Sequence, residues 1–180
     1  MPVHCQAQQI APHVAYEVES FFKAIQGLET TGAGDATEMN QRIETALMHA
    51  RVVYEFLFVP ARPNCPDVSA RDFFDHPSQW TAERKALCPY LTERKERLNR
   101  SVPHLSYDRL KYEQDEEWDL RKVATEIADG WESFLNQLPD ERRSWFAPRA
   151  GSLTASYRPA ANLCARTDSS VTDVRILRLT

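Results

Sequence analysis

Apolar residues recur along most of this chain at the three- and four-residue steps of a helical face. Val14, Val18, Phe21, Ile25 and Leu28 form one such stripe and predict a helix over residues 11 to 29. The Thr30-Thr31-Gly32-Ala33-Gly34 stretch ends it, and Asp35 with Glu38 three positions on has the spacing of a capping box. The second helix carries Met39, Ile43, Leu47, Ala50, Tyr54 and Leu57, and stops near Pro60, whose ring and missing N–H oppose continuation. Residues 59 to 68, stiffened by Pro60, Pro63 and Pro66, have no period of their own and read as a loop. Ser69 is placed to cap a short helix with Phe73 and Phe74, and Ser78 a second with Trp80 and Leu87.

Pro89 suits the first turn of a helix running through Leu91 and Leu98 toward Arg100. Pro103 predicts a break or kink within residues 100 to 104, because its ring would collide with the Asn99 carbonyl of a continuous helix. The clearest helix comes last. Glu116, Glu117 and Asp119 fall in its first turn, where they complement the macrodipole, and Leu120, Val123, Ile127, Trp131, Phe134 and Leu138 make its stripe before Pro139. The predicted fold is therefore all-α: an antiparallel bundle of about four to five main helices with short accessory helices, spanning residues 1–147. From Pro148 the period is lost to Gly, Ser, Thr, Ala and Pro, and five arginines face two aspartates. Residues 148–180 are expected to be a basic, largely irregular and flexible tail, in which Val171, Val174, Ile176 and Leu179 are the positions able to dock.

Composition narrows the classes. The 180 residues are 42% hydrophobic and 27% charged, ordinary for one soluble domain with a real core. A net charge of −4 offers no whole-molecule attraction to nucleic acid or an anionic membrane, so such binding would need a local patch. There is no apolar membrane span, and Met1 to Ile10 lack the form of a secretory signal, so the expected location is cytoplasmic. Cys5, Cys65, Cys88 and Cys164 are widely spaced and read as reduced thiols. No glycine-rich phosphate loop, Gly-x-Ser-x-Gly elbow or spaced metal-ligand pattern is present, so neither a metal nor another cofactor is expected. The acidic run Glu113 to Asp119 is explained by its place at a helix start.

The chemistry is concentrated in Arg97-Leu98-Asn99-Arg100-Ser101-Val102-Pro103-His104-Leu105-Ser106-Tyr107-Asp108-Arg109. Imidazole moves protons near neutrality, and guanidinium pairs two phosphate oxygens at once. Elsewhere His49 lies beside Ala46, Val53 and Phe56 on the helical wheel and reads as a packed histidine bonded to a neighbouring helix. Arg51 and Glu55, four apart, read as an edge ion pair.

The segment from Arg97 to His104 resembles the Arg-x(4–6)-His signature of the HEPN superfamily (higher eukaryotes and prokaryotes nucleotide-binding), which is all-α. With Met48-His49-Ala50-Arg51-Val52-Val53-Tyr54-Glu55-Phe56 it also resembles a group of small bacterial helical proteins, over residues 10 to 138. The resemblance implies a homodimer and metal-independent RNA cleavage of a toxin or defence type. His104 would then be the proton-transfer group and Arg97 the phosphate clamp, with Asn99, Arg100, Tyr107 and Arg109 binding RNA or nucleotide. The same spacing occurs at Arg42 to His49 and at Arg71 to His76. A second reading stays open, in which the bundle is not catalytic and binds a partner protein or a nucleotide through the basic cluster from Arg97 to Arg109. His104 would then tie off the end of the preceding helix.

Overall fold

A computed structural model gives the architecture, and it describes residues 3–30, 36–60, 66–80, 87–101 and 118–146. The fold is an all-α bundle, with no strand among the described residues. Among the described residues the α-helices are α1 (Val3–Thr30), α2 (Ala36–Phe58), α3 (Pro89–Glu93), α4 (Lys95–Ser101), α5 (Leu120–Gln137) and α6 (Asp140–Arg143). Single 3₁₀ turns occupy Ala70–Phe73, Pro77–Gln79 and Ser144–Phe146.

The predicted apolar stripes are the buried faces. On α1 the face starts earlier than the sequence reading placed it, because Ala7 and Ala11 are buried in line with Val14, Val18 and Phe21. Pro12 therefore lies in the interior of α1 rather than in its first turn. An interior proline costs about 3 kcal/mol through its lost hydrogen bond and ring clash, and here apolar burial on both sides of it offsets that cost. Helix α2 runs antiparallel to α1, since Arg42 near its start donates to the Gly27 carbonyl near the end of α1 (2.8 Å), while the later His49 meets the earlier Glu17. Gly27 permits this approach: a Cβ there would lie 2.5 Å from Arg42 Nη1.

The stripe of α5 is buried from Leu120 through Leu138, as the sequence reading placed it. Asp119 is its N-cap rather than part of its first turn, and its side chain accepts from the Lys122 N–H (3.0 Å). Gly130 lets α5 close on α2, for a Cβ there would fall 2.6 Å from the Phe58 ring. Phe134 is the hub of the core, with Phe56, Phe73, Phe74, Trp80, Trp131 and Phe146 all at ring-centroid distances of 5.3 to 6.1 Å. Most of these pairs are edge-on, the arrangement the ring quadrupoles favour.

The short elements follow the sequence reading only in part. Ser69 does cap its turn, with a reciprocal bond from its own N–H to Asp72 (2.8 Å). Ser78, by contrast, lies inside the 3₁₀ turn, because Pro77 takes the first position and His76 the cap. The helix beginning at Pro89 is interrupted at Arg94, where the guanidinium sits 3.9 Å over the Tyr90 ring, so α3 and α4 are separate pieces. Past Pro139 the chain turns back through α6, and Arg142 donates to the Phe73 carbonyl (2.8 Å) and pairs with Asp75. The expected capping residue Asp35, the predicted break at Pro103 and the tail from Pro148 lie outside the described residues.

Candidate functional site

Helical spacing places three polar faces around one opening. On α1, Ile10, His13, Val14 and Glu17 follow the i, i+3, i+4, i+7 rule. On α2, Arg51 and Val52 recur one turn later as Glu55 and Phe56, and on α4, Lys95 and Asn99 are four apart. Together with Val59, Pro60, Asp67 and Val68 of the following segment, and Arg100 at the end of α4, they enclose a cleft of about 850 Å³. That volume suits a small organic ligand.

Arg51 is its central group. Its Nε donates to Asn99 Oδ1 (3.0 Å) and lies 3.3 Å from Glu55 Oε1, and its side chain is about a quarter exposed. The expected Arg51–Glu55 pair is therefore present, but it is joined by an amide 48 positions away. Both contacts use Nε, so the Nη1 and Nη2 donors carry no bond to a described residue. The two terminal nitrogens form the planar edge that matches the oxygens of a carboxylate or phosphate. Lys95 lines the same cleft and has no hydrogen bond or ion pair to a described residue.

The carboxylates of the cleft are engaged differently. Glu55 holds Arg51, and Glu17 holds His49 through a 2.7 Å contact with Nδ1. His49 is thus bonded to the neighbouring helix, as expected, and it stands edge-on to Tyr16 (6.3 Å) behind the cleft rather than in its lining. Its counterpart in the alternative Arg-to-His spacing, Arg42, is spent on Gly27 and Glu38. The other alternative pair, Arg71 and His76, belongs to the two 3₁₀ turns.

Of the residues singled out from sequence, the structure brings Asn99 and Arg100 to the cleft beside Arg51. Arg97 goes elsewhere. Two positions before Asn99, it lies on nearly the opposite side of α4, and its guanidinium sits 4.6 Å over the ring of buried Trp118. It steadies the residue that precedes the α5 cap. His104, Tyr107 and Arg109 lie outside the described residues. The sequence reading passed over His13, Glu17, Asp67 and Lys95, although the four-residue spacings of His13 with Glu17 and Lys95 with Asn99 were available signals.

One buried charge supports the site from behind. Glu126 of α5 is 8% exposed and accepts the Tyr90 N–H (2.7 Å) and the Leu91 N–H (2.9 Å) at the start of α3. Burial raises its carboxyl above the usual carboxylate range, outweighing the two backbone donors that pull it down, while Glu93 adds to the rise and Arg94 opposes it. The Tyr90 hydroxyl in turn accepts the Asp119 N–H (2.7 Å). Cys88, next to this clamp, is buried and not in a disulfide, with its Sγ 3.5 Å from Thr92 Oγ1. Among the described residues no group of three or more His, Cys, Asp or Glu is placed to hold a metal ion, and no helix is long and apolar enough to cross a membrane. Neither a protein-family model, nor a curated protein, nor a solved structure matches the chain.

Proposed function

We propose that this chain is a non-catalytic binding protein for a small organic anion, received in the cleft between α1, α2 and α4. One observation carries the reading: Arg51 is bonded through Nε to Asn99 and Glu55 while its terminal edge is unspent on any described residue. Lys95, uncommitted on the same cleft, adds a second cation, and the Asn99 amide adds a neutral donor. Preorganised donors of this kind bind anions without having to order themselves first.

The test is calorimetric titration at pH 7 with inorganic phosphate, AMP and octanoate. At least one anion binds, and Arg51→Ala weakens it about tenfold to a hundredfold, the worth of a hydrogen-bonded charge pair. Lys23→Ala, a change of equal charge on an exposed part of α1, leaves it unaltered. Absence of binding by all three sinks the proposal. The HEPN resemblance supplies the competing outcome. RNA incubated in chelator is expected to stay intact with wild type and with His104→Ala alike; cleavage by wild type alone would replace the binding reading with the ribonuclease one.

A further inference from the structure

The cleft has a second chemical character besides its cations. Ile10 and Val14 of α1, Val52 of α2, and Val59 and Val68 of the connection give it an aliphatic wall. Two aromatic rings belong to the described lining: Phe56, which is 5% exposed, and the exposed His13 imidazole. Recognition of nucleobases relies on aromatic platforms for stacking, and against five aliphatic side chains the described wall offers one exposed ring, that of His13.

Charge narrows the head group. Three carboxylates, Glu17, Glu55 and Asp67, line the same cleft as Arg51, Lys95 and Arg100. Like-charge repulsion from them weighs more heavily on a dianion than on a monoanion. Resting on the anion-binding reading above, we infer that the ligand is a straight-chain aliphatic carboxylate, its head on the Arg51 edge and Lys95 and its chain along the valine wall. The volume of about 850 Å³ leaves room for such a chain beyond the head.

The experiment is a homologous series. Butyrate, hexanoate, octanoate and decanoate are titrated calorimetrically into the full-length protein, with AMP as the comparison and phosphatidylglycerol vesicles as a separate arm. Each methylene that enters the cleft tightens binding about threefold to fourfold, until the chain outgrows the wall and the gain stops. AMP binds more weakly than octanoate. Val52 is 42% exposed, so Val52→Ser leaves the core intact, and it weakens octanoate several-fold while butyrate is unchanged. Arg51→Met weakens every acid by a common factor.

The failures are separable. Affinity that is flat along the series yet sensitive to Arg51→Met, or AMP tighter than octanoate, overturns the aliphatic ligand and leaves the anion site standing. No binding by any anion brings down both. Co-sedimentation with the vesicles without binding of the free acids also overturns the inference, by assigning the cleft to a membrane lipid. Thermal melts of both variants, matched to wild type, show that loss of binding is not loss of fold.

Discussion

Glu126 shows how much a single carboxylate can be asked to do. It satisfies two of the orphan N–H groups at the start of α3, yet it does so in a place where its own charge is poorly solvated. A carboxyl whose folded-state pKa is raised contributes stability that is full below its unfolded pKa, about 4.3, and is lost as pH rises through the folded value. Glutamine keeps the shape and removes the titration. Wild type is therefore expected to lose stability relative to Glu126→Gln as pH is raised from 4 to 7, read from urea midpoints at each pH. A difference that is constant, or that grows in favour of wild type, would contradict the burial argument. At this scale the sequence was only partly legible. The Arg51–Glu55 pair follows from four-residue spacing, but Asn99 on Arg51 and Glu126 on Tyr90 join positions 48 and 36 apart, and no local pattern encodes them.

At the scale of elements, the long helices could be read because burial imposes a period on many residues at once. The faces of α1, α2 and α5 are those the stripes predicted. The short pieces were less legible, since a 3₁₀ turn or a five-residue helix is decided by one cap, as Pro77 displacing Ser78 from the cap position shows. Close approach of helices is likewise decided by single positions. Replacing Gly130 by alanine would gain up to about 1 kcal/mol of helix propensity, but the added methyl would meet Phe58 at 2.6 Å and Leu57 at 3.2 Å. Overpacking of this kind costs about 1–3 kcal/mol. Gly130→Ala is expected to be net destabilising in chemical denaturation, and a stabilised variant would mean that Phe58 can turn aside freely.

Over the whole molecule, the aromatic core and the cleft meet at Phe56 of α2 and otherwise draw on different elements. Phe134 and the rings around it bind α2, α5 and the 3₁₀ turns into one body, whereas the cleft is built from α1, α2 and the short α4. The net charge of −4 does not steer anions from a distance, so recognition has to come from local donors held in place. Those on α4 are held indirectly, for α4 follows α3 and α3 is fastened to α5 by the Glu126 carboxylate. This fastening has a consequence in time as well as in energy. The Tyr90 and Leu91 amides can exchange with solvent only when the carboxylate releases them, so in heavy water they should exchange slowly for first-turn amides and Glu126→Ala should release them together. With that latch gone, the wall carrying Lys95 and Asn99 would open on its own clock, and a ligand in the cleft would leave sooner than its contacts alone require.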